Sequence, residues 1–199
     1  MLRLEDFRVV FVAVGLVGVL LFASPSLGLV LHFPAGERFS ELWILGPGHM
    51  AEDYPYSVKA GVDYLVYVGV GNHMGSSVYY GVCVKFRSQS EPLPNATAGS
   101  ASPLVPLYEY RVFVEDGRSW EAPLTFSFAY VSQNATYCLV RGISVNGVAF
   151  EIDKATSWDA ENEGFFYGLF VELWIYNVAS DSLQYHDRYV SRWLSMTIA

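Results

Sequence analysis

Cysteine is scarce in this chain of 199 residues: only Cys83 and Cys138 occur, and two residues allow a single pairing. Neither stands in a Cys-x-x-Cys or metal-ligand spacing. Two readings stay open, one disulfide in an external protein or two buried free thiols. Charge is scarce too, at 16% of residues against 52% hydrophobic. Positive charge is the scarcer sign. Residues 37–199 hold 10 Lys and Arg against 18 Asp and Glu, a net charge of −8 with no basic stripe, so nucleic acid is not an expected partner. That acidity favours a solvated surface and repels polyanions. There is no Gly-x-Ser-x-Gly elbow and no His-x-x-x-His pair, and the glycines of VYVGVGNHMG precede no helix that would complete a phosphate-binding loop. Nucleophilic catalysis and nucleotide binding therefore lack a signature, and no cofactor is expected.

One long apolar run is present. From Val9 to Leu31, 23 residues carry no charge. At 1.5 Å rise per residue, such a run can cross a hydrocarbon core of roughly 30 Å. Pro25 interrupts its last third. A cleaved signal peptide is the competing reading, with Ser24-Pro25-Ser26 supplying small residues for the cut. The run is too long for that, and Arg3 and Arg8 are balanced by Glu5 and Asp6, so an uncleaved single-pass anchor is favoured. Arg3 and Arg8 before the span, against Arg38 after it, put the N-terminus inside. The sequons Asn95-Ala-Thr97 and Asn134-Ala-Thr136 fit an external C-terminal domain carrying glycans on Asn95 and Asn134. The expected organisation is a short cytoplasmic N-terminus over 1–8, a transmembrane helix over 9–33 and an external domain over 37–199, in the cell membrane.

Past Gly36 the pattern turns to alternation, and no amphipathic helix of useful length follows. Tyr64–Val70 and Val78–Phe86 read as a hairpin around GNHMGSS. Residues 91–107, with four prolines, read as an exposed loop. Further strands are expected at 108–114, 124–131, 138–145, 148–152, 165–177 and 189–198, and Asn146-Gly147 marks a type I′ turn. About nine short strands at this spacing imply an antiparallel β-sandwich of immunoglobulin-like kind. FSELWI at 39–44 returns as FVELWI at 170–175. Side chains two apart share a strand face. Leu42 and Ile44, like Val171, Leu173 and Ile175, form the core side; Phe39, Glu41 and Trp43, like Phe170, Glu172 and Trp174, form an outer side. The two strands are expected to be neighbours in one sheet, with both tryptophans on one face.

Residues 54–86 carry Tyr54, Pro55, Gly61, Gly69, Asn72, His73 and Tyr80, preceded by FSELWILG. In this pattern the chain resembles the domain-of-unknown-function 1616 family, prokaryotic and largely archaeal membrane proteins. The resemblance runs from about Phe39 to the C-terminus. It implies membrane attachment and an external β-domain, and it supplies no catalytic residue. Members often carry several N-terminal spans, where this chain has one.

Three sets of residues could carry chemistry. His49, Glu52 and Asp53, with His73 of the GNHMG turn, could hold a divalent cation if their loops met; the plainer reading is a turn satisfied by Asn72 and His73 and a surface His49. Glu151, Asp153, Asp159, Glu161 and Glu163 around Trp158 could serve a hydrolase of envelope polysaccharide through loop 151–163, against a plain solvated acidic face. Trp43, Trp174, Glu41 and Glu172 could hold a sugar between ring and carboxylate, against cross-strand packing worth about 0.2–1 kcal/mol per pair. The favoured reading is a non-enzymatic binding or structural module of the cell envelope. Its expected partners are the bilayer and envelope glycans or proteins.

Overall fold

The structure is a computed structural model that describes residues 7–30 and 37–197. The chain divides into two compact units, Met1–Glu37 and Arg38–Ala199. The first contains helix α1, Arg8–Val30, formed by the apolar run. Part of the expected span over 9–33, namely residues 31–33 and the side chains of 20, 21 and 23–30, lies outside the described residues, as do residues 1–6 of the N-terminal segment. Among the described residues no helix is long and apolar enough to cross a membrane.

The second unit is all β. Its strands are β1 (Phe39–Leu45), β2 (Ser57–Lys59), β3 (Tyr64–His73), β4 (Val78–Ser88), β5 (Tyr108–Val114), β6 (Ser119–Gln133), β7 (Tyr137–Val145), β8 (Val148–Ser157), β9 (Phe166–Asn177) and β10 (Ser182–Thr197). They form two five-stranded sheets, β1-β3-β6-β7-β8 and β2-β10-β9-β4-β5. One core joins them: Val68, Val70, Phe126 and Val140 from the first sheet pack with Val82, Val84, Val171 and Leu194 from the second. The expected β-sandwich is therefore present, with ten described strands in place of about nine.

Several details differ from the sequence reading. β2 pairs parallel to β10, so the sandwich is not wholly antiparallel. β6 starts five residues before the expected Leu124 and runs through Pro123. It tolerates the proline because there it pairs with β3 alone; pairing with β7 begins only at Phe126. β10 starts at Ser182, ahead of the expected Tyr189, and a bulge between Tyr185 and Arg188 hides its alternation. β8 runs on to Ser157, past the expected 152. The Asn146-Gly147 turn is as expected, with φ of 48° and 78°, the two positive values that a type I′ turn requires.

FSELWI and FVELWI are not sheet neighbours. β1 lies in the first sheet and β9 in the second. Their shared Leu and Ile face the same core from opposite walls, so the repeat records a core requirement and no pairing. Cys83 and Cys138 are both buried and free. Cys138 belongs to the core, whereas Cys83 alternates with the core residues Val82 and Val84, which puts it on the outer side of its sheet. A bridge between them would have to pass through a sheet. Burial pushes the Cys83 thiol up to about 12, with Glu109 and Glu172 adding to it.

A buried hydrogen-bond chain crosses the sandwich near one end of β1. Asn72 donates to the carbonyls of Ser76 and Val114 at 2.8 Å each, so its side-chain oxygen is an acceptor, used by Met74 N and by the Tyr80 hydroxyl. Tyr80 has one proton and gives it to Asn72, so Ser40 must donate to Tyr80 (2.7 Å), and the Nε2–H of His186 must donate to Ser40 (3.0 Å). Burial and the neighbouring Arg188 hold the His186 pKa below 6.5, so the ring is neutral at pH 7. Asn72, Tyr80 and Ser40 are 0%, 0% and 2% exposed. Replacing Asn72 by Ala takes a partner from the Val114 carbonyl and the Tyr80 hydroxyl in the interior, and from the part-buried Ser76 carbonyl and Met74 amide nearer the surface. Each unsatisfied group costs about 1–3 kcal/mol, so the variant is expected to lose about 3 kcal/mol or more in urea unfolding of the full-length protein in detergent; a loss below ~1 kcal/mol would contradict the assignment.

Candidate functional site

The outer face of the first sheet gathers the aromatic and ionisable residues of β1. Register places Phe39, Glu41, Trp43 and Leu45 against His73, Gly71, Gly69 and Tyr67 of β3. Across β3, Gly69 and Gly71 meet Glu121 and Ser119 of β6. The glycines make the arrangement sterically feasible. A Cβ at Gly69 would lie 2.2 Å from the Trp43 indole, and one at Gly71 would lie 2.4 Å from the Glu41 carboxylate. The indole thus covers Gly69 in the manner of aromatic rescue of a strand glycine. It then reaches across β3 to donate its N–H to Glu121 Oε2 at 3.2 Å.

Glu121 fixes a second group. Its Oε1 lies 2.5 Å from His49 Nδ1, and the His49 ring stacks on Tyr67 with centroids 3.8 Å apart. At the other end of the strands Phe39 stacks on His73 at 4.6 Å, and His73 Nε2 lies 3.6 Å from Glu41. The result is an open surface: a half-buried indole held in place, flanked by two aromatic–histidine pairs and two carboxylates. Such a surface can take an apolar ring face on Trp43 and hydrogen bonds on Glu41, Glu121 and the histidines. Glu121 was not legible in the sequence, because only the β3–β6 register brings it to Trp43.

The expected metal set is not assembled. His49 lies by the Leu45–Tyr67 row and His73 in the Phe39 row, six residues along the strands, or about 20 Å at ~3.3 Å per residue. Glu52 and Asp53 are exposed in the connection between β1 and β2. Among the described residues no three His, Cys, Asp or Glu side chains group as metal ligands.

The expected pairing of Trp43 with Trp174, and of Glu41 with Glu172, is also corrected. Glu172 and Trp174 lie on the outer face of the second sheet, and Glu172 is 0% exposed. Its carboxylate meets Lys85 Nζ at 2.8 Å, the Ser102 amide at 2.8 Å and the Trp174 indole N–H at 3.2 Å. Lys85 also donates to the Ser102 carbonyl at 2.8 Å. The 91–107 segment is therefore a strap pinned at Ser102 over this face, where an exposed loop was expected. Glu172 holds the strap and is closed to any ligand.

The acidic stretch 151–163 is divided. Glu151 and Asp153 are exposed on β8, and the turn beyond it contains Asp159, Glu161 and Glu163. Asp159 accepts from the amides of Glu161 and Asn162 and from the side chains of Asn162 and Gln89, which push its pKa down to about 2. It is an ionised turn cap, unlike the protonated acid a glycosidase needs. Asn95 and Asn134 are exposed, each with its carbonyl oxygen turned back on the backbone of its own sequon.

A model of the family described as "Domain of unknown function (DUF1616)" matches residues 34–146, which is 113 of 199 residues. No curated protein matches the chain. Among solved structures, a chain of the complex between zinc 2-glycoprotein and prolactin inducible protein from human seminal plasma is similar at 8% identity and a TM-score of 0.39, covering 82% of this chain and 99% of that one. A β-glucosidase from Listeria innocua is similar at 10% identity and a TM-score of 0.39, covering 81% of this chain and 17% of the enzyme. Likenesses this distant support no argument about activity.

The Lys85–Glu172 pair yields a test of the strap. Removing one partner of a buried pair costs about 3–5 kcal/mol, while an apolar replacement of both is often near neutral. Lys85→Met alone is expected to fall in that range in urea unfolding, and Lys85→Met with Glu172→Leu is expected to recover most of the loss. Equal, small losses in both variants would contradict the buried pair.

Proposed function

We propose that this chain, which belongs to the DUF1616 family, is a membrane-anchored, non-enzymatic binding module that displays its sandwich outside the cell. The observation that carries the binding half is Trp43, an indole fixed over Gly69 by Glu121 yet still open on the outer face. Open aromatic–carboxylate faces suit recognition of extended envelope components, such as glycans or surface proteins. Tyr, Trp and their neighbours supply much contact area at little entropic cost. The anchor half rests on the sequence, in the uncharged run from Val9 to Leu31, part of which lies outside the described residues; of those described, Val9, Phe11, Val14 and Phe22 are exposed. Arg3 and Arg8 before the run favour the N-terminus inside, and the sequons at Asn95 and Asn134 suit an external domain.

The immunoglobulin-like reading is supported by strand order. In the second sheet β10-β9-β4-β5 follows the G-F-C-C′ order of variable-type domains, and β1-β3-β6 follows A-B-E. β7 and β8 extend that sheet where strand D would stand.

The test is binding by the full chain in nanodiscs to an array of envelope glycans and surface-protein fragments. Membrane retention through alkaline carbonate is scored in parallel. Trp43→Ala is expected to weaken binding about tenfold or more, the loss typical of an interface hot spot. Unchanged binding by Trp43→Ala would overturn the assigned face, and release by carbonate would overturn the anchor.

A further inference from the structure

A second site lies on the other sheet. Tyr56, Phe166 and Trp193 wall a pocket of about 230 Å³, and its polar side is Gln89, Asp159 and Asn162. These residues come from five separate segments: the approach to β2, the residue after β4, the β8–β9 turn, β9 and β10. Trp193 is 45% exposed and Tyr56 55% exposed, whereas Phe166 is buried beneath them, 6.3 Å from the Tyr56 ring centre.

Each wall is held in place. Trp193 pairs with Gly168 across β9, and Gly168 pairs with Arg87 across β4. A Cβ at Gly168 would lie 2.9 Å from the Arg87 side chain, so the arginine stem crosses the glycine and brings its guanidinium to 5.2 Å from the Trp193 ring centre. Arg87 is itself tied to the carbonyls of Ser88 and Gln89. This cation–π contact fixes the indole.

The polar wall is oriented by Asp159. An ionised carboxylate only accepts hydrogen bonds, so an amide beside it must turn its NH₂ inward. Gln89 Nε2 donates to Asp159 at 2.7 Å and Asn162 Nδ2 at 3.0 Å. Both amides therefore turn their carbonyl oxygens away from Asp159, as two fixed acceptors. The site asks for a ligand that donates hydrogen bonds on one edge and offers an apolar face to an electron-rich ring. A pyranose does both: its hydroxyls donate, and its electron-poor C–H bonds sit on an indole face. The volume is below the roughly 300–1,000 Å³ of drug-sized clefts, which fits a single ring. The acidic turn around Asp159, with Glu161 and Glu163, disfavours an anionic sugar.

We infer that the Trp193–Tyr56–Gln89–Asn162 pocket binds one neutral hexopyranose ring, such as the terminal unit of a glycan. Trp193 is the stacking platform, Gln89 and Asn162 are the acceptors, and Asp159 is the residue that orients them. The pocket is on the opposite sheet from Trp43, so the inference stands whether or not that face binds anything.

The test is saturation-transfer difference NMR on the full chain in detergent, with the methyl glycosides of glucose, galactose and mannose as probes. At least one is expected to receive saturation on its ring C–H protons. Trp193→Ala and Asn162→Leu are each expected to weaken binding about tenfold, while Trp193→Phe retains it and Val178→Ser, in the exposed β9–β10 turn, leaves it unchanged. A thermal unfolding scan establishes that each variant is folded, and Asn162→Leu provides the reading if Trp193→Ala does not fold. No transfer to any of the three sugars, undiminished binding in a folded Trp193→Ala or Asn162→Leu, or an equal loss in Val178→Ser would each overturn the assignment.

Discussion

The hydrogen-bond chain His186–Ser40–Tyr80–Asn72 is the constraint on which the Trp43 face depends. It alternates between the sheets, from β10 to β1 to β4 to β3, and its protons run in one direction. Apolar packing alone tolerates sliding of one strand on another, whereas a buried polar chain does not. Any displacement leaves donors or acceptors without partners in a medium where they cannot be hydrated. Ser40 is opposite Asn72 in the β1–β3 ladder, so the chain fixes that ladder at one pair, and the remaining pairs follow.

Register then decides what the surface presents. With Ser40 on Asn72, Glu41 falls on Gly71 and Trp43 on Gly69. Those are the two positions where β3 has no side chain to obstruct a large neighbour. A slip of one residue would send Trp43 into the core and Leu42 outward. The same device recurs on the other sheet, where Arg87 and Trp193 flank Gly168. In each case a glycine lets an aromatic or cationic side chain lie close to the sheet, and a charged partner across the strand holds it there. Structural packing and a ready binding surface are thus one arrangement, which is why the sites are open faces.

Much of the fold was legible because it is local. Alternation located most strands, Asn146-Gly147 fixed its turn, and Leu42 with Ile44 announced the buried side of β1. What escaped depends on distant residues. The repeated ELWI says which side of a strand is apolar, and a sandwich has two walls that want the same side, so the pattern could not assign β1 and β9 to different sheets. Glu172 reads in sequence like Glu41. It is buried only because the 91–107 strap reaches it, with Ser102 and Lys85 as anchors. Glu121 and the Tyr56–Trp193 pocket carry no motif, since their members meet through register and turn geometry alone.

The central claim is that a buried network, remote from Trp43, sets the position of Trp43. It is tested most directly by the indole N–H resonance of Trp43 in ¹⁵N-tryptophan-labelled full-length protein, identified by its disappearance in Trp43→Phe. Tyr80→Phe removes the hydroxyl that links Ser40 to Asn72 and touches nothing near the indole. The account predicts that this substitution shifts the Trp43 resonance and speeds its exchange with solvent, as the bond to Glu121 loosens with the β1–β3 register. An unchanged, equally protected Trp43 resonance in a destabilised Tyr80→Phe protein would contradict it.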